Sequence, residues 1–126
     1  MKRLRILLLL FLVCAAGQVL TAEGIYRECV GAIKLSERAQ ELCVRGECEE
    51  ALPLIDEALK KLEGCRGQIN MWLNKVNTEN ALSFGLMAKS YCAAEQKEDA
   101  AANLKIFNFY LEIIVERFFM SFYDKT

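Results

Sequence analysis

Cysteines are the residues of this sequence best suited to chemistry, and five of its six follow residue 22. This density is typical of disulfides in small proteins of oxidising compartments, each stabilising by about 2–4 kcal/mol. Cys43 and Cys48 flank a predicted turn and form one possible pair, and Cys29 with Cys65 forms another; burial as small apolar side chains is the alternative. Because five is odd, at least one thiol is left over. The candidate disulfide cysteines are Cys29, Cys43, Cys48, Cys65 and Cys92.

The sequence contains no histidine, which removes histidine-assisted nucleophiles, histidine metal ligands and a histidine general base. It also lacks a Cys-x2-Cys pair, the short spacing that zinc sites normally show. Adjacent carboxylates such as Glu49–Glu50 and Glu98–Asp99 fall where helix starts are expected, which favours a solvated helix end over an acid–base pair. We therefore predict a protein that is not an enzyme, with no catalytic, cofactor-binding or metal-binding residues.

The N-terminus has the pattern of a secretory signal peptide. Lys2, Arg3 and Arg5 precede an apolar run over residues 6–16, and small residues follow as far as Ala22. The run is much shorter than the roughly 20 residues that span a bilayer, so an uncleaved membrane anchor is the weaker alternative. We predict a signal peptide over residues 1–22, cleavage after Ala22, and export to the periplasm or the extracellular space.

Removal of residues 1–22 leaves 104 residues, enough for one domain with one core, predicted over residues 23–126. The lost segment carries three basic and no acidic residues, so the net charge falls from −1 to −4. An acidic surface cannot displace counterions from phosphates, so nucleic acid is not an expected partner.

The rest of the chain predicts an all-α fold, because strand-type alternation is absent and short polar breaks separate helix-period apolar stripes. Helices are expected over residues 25–44, 48–62 and 79–94, with a short helix before a new start at Asn77–Thr78 and a last helix to about residue 122. The predicted breaks are a turn at 45–47 with Gly46 at positive φ, a second at 64–67 and a third at 95–97.

Two stretches of this pattern look alike. Each has a helix, a tight turn and an alanine early in a second helix. They resemble the tetratricopeptide repeat, whose units pack two antiparallel helices through small residues. The matching positions are Ala39, Leu42, Gly46, Ala51, Ile55 and Ala58, then Phe84, Met87, Ala88, Tyr91, Ala100 and Leu104.

The match is incomplete, because Glu95 replaces the turn glycine, Phe107 replaces the last alanine, and neither unit has the closing proline. The resemblance implies antiparallel helical hairpins over about 36–64 and 82–111, in a right-handed stack, with a small helical bundle as the alternative. Ala51 and Ala100 lie farther apart than the family period of about 34 residues, so we expect an insertion over about 65–80.

The last helix is apolar over most of its circumference, and one small core cannot obviously hold all of its aromatic side chains. An exposed remainder would form a homodimer interface or contact an unknown protein partner. The candidate interface is Phe109, Phe118, Phe119, Phe122 and Tyr123. The predicted function is therefore an exported interaction or scaffolding module. The alternative is a small secreted disulfide-bonded effector that acts on another protein.

Overall fold

Within residues 2–123, which a computed structural model describes, the chain forms four α-helices and no strand, which confirms the all-α prediction. They are α1 (Lys2–Val44), α2 (Cys48–Trp72), α3 (Lys75–Ala93) and α4 (Lys97–Tyr123). Side chains at 14–21, 119 and 121–123 lie outside the described part. A connection of only two or three residues joins each helix to the next, so consecutive helices run antiparallel.

The helices close into a ring. Helix α1 packs against α2 and α4, α3 packs against the same two helices, and α2 and α4 touch only slightly across the centre. This is the arrangement of an up-down-up-down four-helix bundle, the second of the two expected architectures. It gives no evidence for a tetratricopeptide-like stack, and that relationship stays a prediction.

The two helical hairpins repeat one another at an offset of 49 residues, the separation of Cys43 and Cys92. Their turns share the same hydrogen bonds: the amide of Gly46 donates to the Cys43 carbonyl, and that of Glu95 donates to the Cys92 carbonyl. Gly46 has φ +82° and Glu95 has φ +59°. Buried residues also recur at this offset: Ala32 and Ala81, Ala39 and Ala88, Ala51 and Ala100, Ile55 and Leu104, and Leu62 and Leu111.

The predicted break at 64–67 is wrong, because α2 runs through Gly64 and Gly67 to Trp72. Two helical glycines cost about 1 kcal/mol each, but the turns beyond Leu62 bury Cys65 and Ile69 in the core, which offsets that cost. The helix start at Asn77–Thr78 is also misplaced. Helix α3 begins at Lys75, and the Asn74 side chain caps it by accepting a bond from the Val76 amide at 3.1 Å.

The segment over 65–80, where an insertion was predicted, is mostly helical. That segment contains the end of α2 and the start of α3, and residues 65 and 69 occupy the same buried positions in the first hairpin as Ile114 and Phe118 in the second. In this structure, the spacing between Ala51 and Ala100 equals the 49-residue offset between the two hairpins.

The first turns of α1 stand apart from the core. All side chains of residues 2–13 are exposed, including apolar ones from Leu4 to Val13, and Ile25 is the first buried residue among the side chains that the structure describes. No helix in the described part of the chain is long and apolar enough to cross a membrane. The predicted signal peptide and its cleavage after Ala22 stay predictions.

Candidate functional site

Three aromatic rings lie side by side on the outer surface of α3 and α4. Phe84 stacks on Tyr110 with ring centroids 5.9 Å apart, and Tyr110 meets Phe109 edge to face at 5.6 Å. Phe84 and Tyr110 are half-buried, whereas Phe109 is 58% exposed. We call these three residues the aromatic row.

Two further apolar side chains extend the aromatic row along the same helix faces. Met87 lies one turn after Phe84 on α3, and Ile106 lies one turn before Tyr110 on α4. Met87 is 42% exposed and Ile106 is 37% exposed. The same two helices bury Ala88, Leu104 and Phe107 completely in the core.

The structure exposes one of the candidate interface residues and buries another. Phe109 is exposed, as expected, but Phe118 is only 4% exposed and packs in the core, so its assignment to an interface is wrong. The helical period explains this, because Phe118 continues the buried stripe of Leu111 and Ile114. The side chains of Phe119, Phe122 and Tyr123 lie outside the described part.

The five described cysteines are all buried and all present as free thiols, so the predicted disulfides are not formed in this structure. Cys43, Cys48 and Cys92 meet between the two turns, with their three sulfur atoms within 4.8 Å of one another. The Cys43 and Cys92 sulfurs are 3.8 Å apart, and the Cys92 thiol donates a hydrogen bond to the Cys48 carbonyl at 3.0 Å. We call these three residues the thiol cluster.

Burial controls the acidity of these thiols, because removal from water disfavours the thiolate. Burial raises the pKa of Cys92, and the neighbouring Cys43 thiol raises it further. The pKa of Cys43 is raised by burial as well, although a hydrogen bond with Cys92 acts in the opposite direction. Without a cation beside them, Cys43 and Cys92 are therefore poor nucleophiles at neutral pH.

Cys29 and Cys65, the second possible disulfide pair, lie on α1 and α2 and are both free thiols. Burial raises the pKa of Cys29 to about 12, with smaller contributions from Cys65 and Glu28. The pKa of Cys65 is also raised, first by burial and then by Glu28, while Lys61 lowers it. Lys61 and Glu28 form an ion pair across the two helices at 3.4 Å.

An open depression of about 460 Å³ lies at the end of the bundle where both turns meet. Cys48 contributes to its wall, so the thiol cluster lies directly inward from it. The charged residues around it are Glu47, Glu49, Glu50, Glu95 and Lys97. The surface above the thiols is therefore predominantly acidic.

Comparison with protein-family models, with curated proteins and with solved structures gives no match to this chain.

Sequence reasoning missed the thiol cluster, because Cys92 is far along the chain from Cys43 and no short Cys-x2-Cys motif marks it. One signal was present: Cys43 and Cys92 occupy the same position before the two similar turns. If the hairpins are paired side by side, equivalent residues near the shared axis of the bundle come together. The aromatic row was missed in part, since only Phe109 of its members was named as an interface residue.

Proposed function

We propose that this chain is an exported, non-enzymatic module that binds a protein partner on the aromatic row. The observation that carries the proposal is the exposure of Phe109 beside the stacked pair Phe84 and Tyr110. Exposed aromatic side chains that are already clustered are typical centres of binding energy in protein interfaces. Met87 and Ile106, one turn away on the same two helices, add two further exposed apolar side chains.

The aromatic row is suited to binding because its rings are held before a partner arrives. Ring contacts fix Tyr110 between Phe84 and Phe109, and the helices beneath share a fully buried core. Ordering a mobile side chain at an interface costs about 0.5–1.5 kcal/mol, so rings that are fixed in advance avoid part of that cost. A protein partner also agrees with the acidic charge of residues 23–126, which disfavours nucleic acid.

Export is supported by the separation between the N-terminal apolar turns and the core. Every buried residue of the described core lies at Ile25 or later, so loss of residues 1–22 would remove none of them. The experiment is to express the full-length chain in a bacterium and to sequence the N-terminus of the exported form. We expect the mature chain to begin at Glu23. Recovery of the complete chain from the cytosol alone would contradict export.

The partner proposal is tested by a photo-cross-linking amino acid placed at residue 109, in cells of the source organism. Met71 provides the matched control, because it is 80% exposed and apolar but lies at the end of α2, near the opposite end of the bundle from the turns. We expect one adduct from residue 109 and none from residue 71. Equal cross-linking from both positions, or none from 109, would refute the proposal.

The same experiment separates a foreign partner from a second copy of the chain. Mass spectrometry of the adduct identifies the captured protein, and light scattering gives the mass of the isolated chain with and without Phe109→Ser. A dimer that the substitution dissociates would assign the aromatic row to self-association and overturn the partner proposal. A monomer that cross-links to another protein only in the cell agrees with it.

A further inference from the structure

We propose that Cys43, Cys48 and Cys92 together bind one thiophilic d10 cation, Zn²⁺ or Cu⁺, through three thiolates. The three sulfur atoms already lie within 4.8 Å of one another. Thiolate ligands select these cations over harder ones such as Mg²⁺ and Ca²⁺. This proposal is independent of the aromatic row and of the proposed partner.

The spacing of the thiols matches that of a coordination sphere. With metal–sulfur bonds of about 2.3 Å, tetrahedral coordination places two sulfurs about 3.8 Å apart, and trigonal coordination about 4.0 Å apart. The Cys43 and Cys92 sulfurs are 3.8 Å apart. The separation of these two sulfurs therefore already matches that of two thiolates bound to one cation, and the Cys48 sulfur lies within 4.8 Å of both.

The position of the thiol cluster follows from the repeat of the two hairpins. Cys43 and Cys92 are equivalent residues in the last turn of α1 and of α3, so the symmetry of the bundle supplies two facing thiols. The third thiol breaks that symmetry, because the residue equivalent to Cys48 in the second hairpin is Lys97. Cys48 completes a three-ligand site in which no ligand pair has the Cys-x2-Cys spacing.

Proton release accompanies binding. Zn²⁺ and three thiols give a complex of net charge −1 and three protons, whereas Cu⁺ gives a complex of net charge −2 and three protons. The bond from the Cys92 thiol to the Cys48 carbonyl is lost in this step, since the thiolate has no proton to donate. The cation supplies the opposite charge that the buried thiolates lack, and a thiol that coordinates a metal is deprotonated outright.

The depression at the end of the bundle brings solvent up to Cys48, one of the three proposed ligands. Glu47, Glu49, Glu50 and Glu95 line it and attract a cation from solution. Lys97 also lines the depression, and its positive charge partly balances the net negative charge of the metal complex. Zinc normally takes four ligands, so a water molecule or one of these carboxylates would complete its shell from the open side.

The first test uses the wild-type full chain, purified with its thiols reduced and then mixed with zinc sulfate or, anaerobically, with Cu⁺. Native mass spectrometry gives the stoichiometry, and X-ray absorption at the metal edge counts the sulfur neighbours. We expect one cation per chain with three sulfur neighbours at about 2.3 Å. No bound cation, or fewer than three sulfur neighbours, would overturn the proposal.

The second test compares two alanine variants that are matched in burial and in helix. Cys48 and Cys65 both lie on α2 and are both 6% exposed. Cys48→Ala removes a ligand, so it should weaken binding by at least about a hundredfold, more than the loss of a supporting contact costs. Cys65→Ala should leave the affinity within about twofold of wild type.

Circular dichroism of both variants checks that each is folded. If Cys48→Ala does not fold, Cd²⁺ bound to the wild-type chain replaces it as the measurement, because the intensity of the sulfur-to-cadmium charge-transfer band reports the number of thiolates. Equal loss of affinity in both variants would show that the cation binds elsewhere. A disulfide between two members of the thiol cluster, in protein taken directly from the source cells, would also overturn the proposal.

Discussion

Replacing Gly85 with alanine would place a methyl group at the point where α3 crosses α2 and α4. Its β-carbon would lie 2.6 Å from a terminal methyl of Leu59 and 2.9 Å from two ring carbons of Phe107. Both contacts are far shorter than van der Waals distance, and Phe107 is fully buried and has no free space to enter. Overpacking of this kind typically costs about 1–3 kcal/mol.

Gly64 provides the matched control, because it is an exposed glycine within α2 and its added β-carbon would have no neighbour within 4 Å. Glycine-to-alanine substitution in a helix interior gains about 1 kcal/mol of helix propensity. That gain is common to both sites, so the difference between Gly85→Ala and Gly64→Ala isolates the overpacking. We expect Gly64→Ala to raise the free energy of unfolding by about 1 kcal/mol and Gly85→Ala to fall about 1–3 kcal/mol below it.

Urea denaturation followed by circular dichroism measures both free energies. Repeating Gly85→Ala and Gly64→Ala in a Phe107→Ala background makes a double-mutant cycle. The part of the overpacking cost that comes from contact with the Phe107 ring should then disappear. A difference between Gly85→Ala and Gly64→Ala below about 0.5 kcal/mol would refute the close crossing, since that is within the range of ordinary surface substitutions.

Two further predictions concern the turns and the buried thiols. Glu95 has φ +59°, a conformation that costs a non-glycine residue about 1–2 kcal/mol, so Glu95→Gly should raise the free energy of unfolding by about 1 kcal/mol, whereas Glu95→Ala should not. Cys29 has its pKa raised to about 12 from 9.0, so under reducing conditions the unfolded chain loses this proton first as the pH rises above 9. The free energy of unfolding should then fall by up to about 1.4 kcal/mol per pH unit until about pH 12, and Cys29→Ala should lose this component. Denaturation curves at a series of pH values measure it, and equal slopes for wild type and variant would contradict it.

Much of the secondary structure could be predicted from the sequence because its causes are local. The turn at residues 45–47 was predicted from Gly46 and agrees with the structure, and the break predicted at 95–97 lies one residue earlier, at 94–96. Helix α3 also carries a stripe of small residues, Ala81, Gly85, Ala88 and Cys92, and all four are buried in the structure. Local signals failed at Gly64 and Gly67, where burial of Cys65 and Ile69 outweighs two unfavourable helix propensities.

The sequence by itself determined an all-helical chain, the turn at residues 45–47 and the likeness of two hairpins, because the helical period and turn residues act over a few positions. Only the tertiary structure decided that the ring closes, with α4 packed against α1. That closure brings Cys92 into contact with Cys43, 49 residues away in the sequence, and with Cys48. It also leaves Phe109 exposed and buries Phe118. Which side chains meet depends on the pairing of distant helices, since each helix has several faces and only packing selects the buried one.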